Sequence, residues 1–558
     1  MRFHAYLSKL ANLVLLRLIV AAGASAAFDL PGYLKAAPAV PPTTTSWPSA
    51  NATKSTYVYL HKDMALAKAT PYYFGANLPI YIKNALLLSD DQTTKMRDAV
   101  TFLRYPGGSS ANKYLWDGDF DTYPYFKTWS WMAATANFNM TQFVQVINST
   151  GAVPLVELNA ALALVYGYEV AAAYFLEQHE ALLALGLNVT YYEFGNENYG
   201  GWEPPYGDYP VNGSLYAAAF SAASSVLKAK YPYIKLGAVV QWSDSDGRRR
   251  LSRTGRSAAT ALQSGTRAEP QLGAFVKNWT ADVLAGGGSS ADFLIVHEYY
   301  TSGSEVPTNN ALLDEVSLLA NMSAGVSSFM AQYAPGVATP PLILSEFNIG
   351  KIQSGACGAT LQFINVLWHA RMLGEGILNS GFKSLMSFSW ADGSNTCTYS
   401  GRGDTGDYGM VSTGSSDVED GTPTPHLYAY VLYKLACGDT LVNVTVKQGS
   451  STKITAFGST FSGGELGLVL VNTDSAAHKI TLATATTPKQ AIGWVVASSE
   501  PSAGDPLSAR GVTWNGQTDP DTFPLLTELG AYSIDVAQAA SSVAFEVPAF
   551  SVAGVVLY

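Results

Sequence analysis

The stretch Val189-Thr-Tyr-Tyr-Glu-Phe-Gly-Asn-Glu197 decides the fold. Its β-branched and aromatic residues form a short apolar run that stops at Gly-Asn, the pattern of a strand buried on both faces. An Ala/Leu-rich helical pattern, Tyr168–Leu185, comes before it. A strand of this kind following a helix belongs to a parallel sheet, and this one delivers a carboxylate, Glu197, at its C-terminal tip. Pro341-Leu-Ile-Leu-Ser-Glu-Phe-Asn348 has the same construction and carries Glu346.

Working outward from these two, eight such runs can be counted: Tyr72–Ile80, Val100–Pro106, Val153–Asn159, Val189–Glu197, Ile234–Trp242, Phe293–Tyr300, Leu342–Asn348 and Leu385–Ala391. Helical patterns such as Ser214–Tyr231 and Ala359–Leu373 lie between them. Eight strand–helix repeats predict a closed (β/α)₈ barrel. An open doubly wound sheet would show a Gly-rich phosphate turn after its first strand. Here that run ends Phe74-Gly-Ala-Asn-Leu-Pro79, without the turn.

From about Leu441 the texture changes to Val/Thr/Gly-rich alternation in Leu466–Asn472, Ile480–Ala483, Val543–Pro548 and Ser551–Tyr558. This predicts an antiparallel β-sandwich, to which Tyr57–Leu60 adds an edge. The expected organisation is a signal peptide over 1–26, a linker and edge strand over 27–70, the α/β barrel over 71–430 and the sandwich over 431–558.

The signal is read from Arg2 and Lys9 before an apolar stretch, Leu10 to Ala22, and the small-x-small site Ala24-Ser-Ala26. Eight Asn-x-Ser/Thr sequons agree with export: Asn51, Asn139, Asn148, Asn188, Asn212, Asn278, Asn321 and Asn443. A secreted, extracellular or vacuolar glycoprotein is expected, with no membrane anchor once the signal is removed. Of 558 residues only 14% are charged and the net charge is −10, which argues against a polyanion such as nucleic acid as partner. The basic island Gly247–Arg256, inside a long insertion at about Ser243–Gln271, is read as a surface segment. Three cysteines allow one disulfide, for which Cys357 and Cys397 are favoured, and leave Cys437 as a buried thiol. The scattered histidines show no metal-ligand spacing, so neither metal nor cofactor is expected.

In a barrel of this kind Glu197 tips strand four and Glu346 tips strand seven, so both face one bowl at the C-terminal ends of the strands. Two carboxylates so placed suit cleavage of a glycosidic bond: one protonates the leaving oxygen and the other attacks the sugar or activates water.

The order and spacing of further motifs support this. They are Phe102-Leu-Arg-Tyr-Pro-Gly-Gly108, Trp116-Asp-Gly118, Tyr191–Glu197 with the following Asn-Tyr-Gly-Gly-Trp-Glu203, Val296-His-Glu-Tyr-Tyr300 and Leu344-Ser-Glu-Phe-Asn348. Together they resemble the retaining glycoside hydrolases of clan A, family-51 α-L-arabinofuranosidases above all, with heparanase-like family-79 β-glucuronidases near them. The resemblance implies Glu197 as general acid/base and Glu346 as nucleophile in a double displacement. It also implies Asn196 as the amide on the sugar 2-hydroxyl, Arg104 as the charge that keeps Glu346 ionised, and His297 and Tyr299 as the pair that orients the nucleophile or contacts the substrate. Trp390 matches an aromatic platform under the sugar. Asn77 is a plausible hydroxyl ligand, Glu193 a buried partner of Arg104 or of a loop amide, and Trp202 and Glu203 candidates for an outer subsite. Glu157 and Glu298 have no matched role.

The strand-two loop departs from the family in continuing Ser109-Ser-Ala111 after its two glycines. The expected substrate is an oligosaccharide or polysaccharide of cell wall or matrix, or a glycoprotein glycan. The alternatives are a heparanase-like β-glucuronidase and, of another class, a non-catalytic carbohydrate-binding matrix glycoprotein.

Overall fold

The computed structural model describes residues 28, 34–68, 71–130, 138–243, 276–300, 312–313, 316, 318–349, 359–378, 381–392, 408–413, 420–448, 453–499, 507, 511–518, 530–537 and 541–558. The expected signal segment, the basic island and the pair Cys357 and Cys397 lie outside the described residues. Cys437 is buried and free, as expected. No helix among the described residues is long and apolar enough to cross a membrane.

Eight parallel strands close into a barrel. In order they are Phe74–Asn77, Phe102–Tyr105, Val153–Leu158, Tyr191–Phe194, Lys235–Val239, Phe293–Tyr300, Leu342–Ile349 and Phe382–Ser387. The first strand pairs with both the second and the eighth, which leaves no open edge. All eight lie within or close to the expected runs. The runs overshoot because the apolar texture begins before the ladder, as at Tyr72, or continues past it, as at Val240 and Trp390.

The intervening helices begin and end on local signals. Asn139 forms a capping box with Gln142 at the start of Met140–Thr150, and Gly151 closes that helix in the left-handed region. Asn212 caps Gly213–Lys230 more simply, its side-chain oxygen accepting Leu215 N. Burial of one helical face against the barrel, and not propensity alone, holds these helices in place.

The N-terminal mouth of the barrel is closed by rings. Phe28 packs on Tyr72, Phe102, Tyr191 and Phe293, all at or just before the starts of their strands. Only the opposite end is left for a ligand.

The second sheet is mostly antiparallel. Lys54–Lys68 was expected as an edge, but it lies inside the sheet, antiparallel to Thr440–Gln448 and parallel to His478–Ala483. This strand is 15 residues long, well beyond Tyr57–Leu60. Its polar, exposed outer positions hid most of it from a search for apolar runs.

Strands far apart along this sheet share one core. Ile480, Leu482, Val543 and Phe545 cluster with Val495, Val555 and Leu557. The sheet has therefore folded face to face, as a sandwich does. Its other face, with Val469, Val471, Val552 and Val556, joins the larger core that includes helices Ile364–Leu378 and Pro425–Ala436.

Candidate active site

The turn after strand four requires glycine. Gly195 has φ +76°, and a Cβ there would lie 2.1 Å from Asn198 Oδ1 and 2.6 Å from Ala160 Cβ. The turn then places Glu197 in the left-handed region, φ +41°, a conformation that costs a non-glycine residue about 1–2 kcal/mol. Tyr216 anchors the end of the strand, its hydroxyl donating to Phe194 O at 2.6 Å and accepting from Val239 N at 2.9 Å.

In the centre of the bowl Arg104 is fully buried and spends its whole fork. Nε and Nη2 donate to the two oxygens of Glu193 at 2.9 and 2.6 Å. Nη1 reaches Glu346 Oε1 at 2.6 Å and Asn77 Oδ1 at 2.7 Å. Nη2 also reaches Glu157 at 2.5 Å and Asn196 Oδ1 at 2.9 Å. Three carboxylates hold the guanidinium well above its already high ordinary pKa, in spite of burial. Burial pushes Glu157 well above the usual carboxylate range. For Glu193 the Arg104 charge and His297 outweigh burial and hold it below that range.

Glu346 Oε2 accepts the Tyr299 hydroxyl at 2.8 Å. Gly108, φ +68°, permits a close wall here, since a Cβ would sit 2.9 Å from the Phe388 ring and 3.4 Å from Glu346 Oε1. Glu197 Oε1 accepts Tyr199 Oη at 3.0 Å, and Oε2 accepts the Trp202 indole N–H at 2.8 Å. His297 joins the two glutamates: Nδ1 is 3.2 Å from Glu197 Oε1 and 3.7 Å from Glu346 Oε2.

Burial would raise Glu197, but the hydrogen bond and charge of His297, with the Trp202 and Tyr199 bonds, bring it down to about 2. Burial would lower His297, but the Glu346 charge and bonds to Glu193 and Glu197 push it up to about 10. One oxygen each of Glu197 and Glu346 and one nitrogen of His297 lie within 4.8 Å of one another. These are also the donor types a cation takes, though each is already engaged by protein groups.

The structure brings together Glu197, Glu346, Asn196, Arg104, His297 and Tyr299 as the motifs implied, and seats Glu193 against Arg104. Glu298 turns away to accept the Trp242 indole N–H at 2.6 Å.

Three expectations need correction. Trp390 is fully buried and presents no ring face to the bowl. Beyond Ser387 the chain leaves the ladder, and partly exposed Phe388, packed near Tyr299 at 6.4 Å, takes the place beside Glu346. Asn77 is a strut and not a ligand: its amide nitrogen donates to Ser345 O and Ser387 O, and its oxygen accepts Arg104. Glu203 is 2% exposed and lines no outer subsite. The eighth run, Leu385–Ala391, spanned both Phe388 and Trp390 and gave no sign of which ring would face the bowl. The Gly-Gly-Trp-Glu run carried no signal that its last residue turns inward.

No family model matches the chain, and no curated protein matches it in sequence. Solved structures do match it. An α-L-arabinofuranosidase from Thermotoga maritima, solved as an arabinose complex, superposes with a TM-score of 0.60 at 16% identity, over 90% of this chain and 99% of that one. A family-51 α-L-arabinofuranosidase from Thermotoga petrophila RKU-1 gives 0.59 at 15% identity, over 90% and 100%. A family-44 xyloglucanase from Paenibacillus polymyxa gives 0.56 at 13% identity, with the same coverage. The chain thus carries, over nine-tenths of its length, the barrel-and-sandwich fold of the family-51 α-L-arabinofuranosidases that its motifs resemble.

Proposed function

We propose that the protein is a retaining glycoside hydrolase. The observation that carries this reading is the closeness of Glu197 and Glu346, whose nearest oxygens are no more than 4.8 Å apart. A retaining pair stands about 5–5.5 Å apart, whereas an inverting pair stands about 6.5–9.5 Å apart to admit a water. In the first step the Glu346 carboxylate attacks the anomeric carbon, forming the C–O bond to the enzyme as the bond to the departing oxygen breaks, while Glu197 passes to that oxygen the proton it shares with His297. In the second, Glu197 takes a proton from water, the water oxygen bonds to the anomeric carbon and Glu346 leaves.

The proton for the first step is held by the Glu197–His297 pair. Ser345 Oγ lies 2.9 Å from His297 Nε2 and 3.4 Å from Glu193 Oε1, to which it donates, so Nε2 must carry a hydrogen. The one remaining proton sits on the Nδ1···Oε1 line, available to Glu197. Arg104 and Tyr299 hold the two oxygens of Glu346 in place by an ion pair and a hydrogen bond. The Asn196 amide serves the sugar hydroxyl next to the reacting carbon, and Phe388 offers the ring on which a sugar face stacks.

A neutral sugar, such as an arabinofuranoside, suits this bowl better than a uronate. Arg104 is taken up by three glutamates, which leaves it no capacity for a substrate carboxylate. Export and N-glycosylation belong to the same reading: six of the eight sequon asparagines are exposed and the other two half-buried.

A panel of nitrophenyl glycosides (α-L-arabinofuranoside, β-D-glucuronide, β-D-xyloside, β-D-galactoside) tests the sugar, and proton NMR of the first-formed anomer tests retention. An inverted product would remove the double displacement. Turnover of none of the four, together with binding of a cell-wall polysaccharide, would favour the non-catalytic alternative.

A further inference from the structure

Glu203 is a buried carboxyl for which the two-step mechanism has no use, and its surroundings are specific. Oε1 accepts the Ser109 hydroxyl and the Asn196 amide N–H, the latter at 3.0 Å. Oε2 accepts Asn112 Nδ2 at 2.9 Å. The same Asn112 nitrogen donates to Asn196 O at 2.6 Å, and Asn112 Oδ1 accepts from Asn198 Nδ2 at 3.2 Å. Glu203 therefore ties the strand-two loop to the strand-four loop directly behind Asn196. Ser109, the residue that departs from the family-51 pattern, supplies one of the ties.

An asparagine amide has two unlike ends, and nothing intrinsic decides which way it lies. Here both neighbours decide. Arg104 offers only donors and lies 2.9 Å from Oδ1, so the oxygen must face it. Glu203 accepts from Nδ2, so the nitrogen must face the other way. Burial pushes Glu203 up to about 7, against the charge of Lys113 and the Asn112 and Ser109 bonds, with Glu197 adding to the rise. Protonation does not break the arrangement, since the Ser109 hydroxyl can turn from donor to acceptor.

We infer that Glu203 is a positioning residue: with Ser109 and Asn112 it fixes the Asn196 amide so that its second N–H meets the substrate hydroxyl adjacent to the reacting carbon. This rests on the role given above to Asn196. The expected consequence is loss of turnover more than of ground-state binding, because that contact strengthens as oxocarbenium character develops.

The test compares the nitrophenyl glycoside turned over fastest with its 2-deoxy counterpart, in wild type and in Glu203→Leu, Glu203→Gln and Asn196→Ala, each checked for fold by thermal melting. Glu203→Leu should lower kcat about 10- to 100-fold on the full substrate, with KM changing much less. On the 2-deoxy substrate it should match wild type to within about threefold. Glu203→Gln, which keeps an oxygen to offer Asn196, should recover most of the loss. An equal deficit on both substrates would overturn the positioning role while Asn196→Ala still discriminates between them. If Asn196→Ala does not discriminate either, the role of Asn196 falls and this one with it.

Discussion

The Nδ1 of His297 lies 3.2 Å from Oε1 of Glu197, although the two residues are 100 positions apart in the chain. The contact couples the proposed acid to an imidazole fixed on strand six. Its strength depends on burial: His297 is 2% exposed, and solvent screens a buried charge far less than an exposed one.

This pair should appear in the pH dependence of stability. His297 has a folded pKa raised to about 10, above its ordinary 6.5. Its contribution is therefore complete below about pH 6.5 and is lost as pH rises through about 10. Glu197 has a folded pKa lowered to about 2, so its contribution is complete above about pH 4.5 and is lost toward pH 2. Wild type should lose several degrees of Tm between pH 7 and 10 that His297→Gln does not lose. Parallel Tm curves for the two proteins would contradict the pairing.

Glu346→Gln should remove turnover, by at least about 10⁴-fold, while leaving the melting temperature within a few degrees. Glu197→Ala should behave differently. It should lose about 10²–10⁴-fold on substrates with poor leaving groups and much less on a dinitrophenyl glycoside, which needs no acid. Added azide should restore release of that activated substrate and yield a glycosyl azide of retained configuration. Rescue of Glu346→Gln in its place would exchange the two roles.

Arg104→Met should destabilise the fold by about 3–5 kcal/mol, because three carboxylates would be left around a buried, unpaired centre. Denaturant unfolding measures this. Arg104→Lys should recover little, since one ammonium cannot replace a fork that holds both oxygens of Glu193 and one of Glu346. A midpoint unchanged in either variant would show that the centre is hydrated.

Trp202→Phe removes one hydrogen bond from ionised Glu197 and keeps a ring in the loop. Since that bond favours the charged form, the Glu197 pKa should rise from about 2. Carbon NMR of labelled glutamate reads the shift directly. A lower value would mean that the indole bonds to the protonated acid.

Gly108→Ala should cost about tenfold or more in kcat/KM. The added Cβ would press on Phe388 at 2.9 Å, in a backbone conformation with φ +68°. Gly151→Ala is the control, because it shares the positive φ but has no neighbour within 4 Å. It should affect stability without changing kinetics. If both variants kept full activity, Gly108 would not be shaping the site.

Much of this was legible in the chain. Each barrel strand is apolar on both faces and bounded by turn residues, so the eight runs could be counted, and the positions of Glu197 and Glu346 at strand tips followed from that count. The motifs around Arg104, Asn196, His297 and Tyr299 carried the remaining members of the site. Lys54–Lys68 was seen only in part, because alternation with exposed charged residues weakens an apolar search. Trp390 and Phe388 could not be told apart, since two aromatics two residues apart fit the same pattern just past a strand end.

Local sequence determines which residues form strands, which caps stop helices and which side chains end at the C-terminal face, because these depend on periodicity and on steric preferences of near neighbours. Only the tertiary structure decided that Arg104 would be consumed by Glu157, Glu193 and Glu346, that Asn77 would brace the strands, and that Glu203 would turn inward to Ser109 and Asn112. Those outcomes depend on distances of a few ångströms between residues up to 310 positions apart, as in Asn77 and Ser387. Hydrogen bonds and buried charges have no range in sequence, only in space.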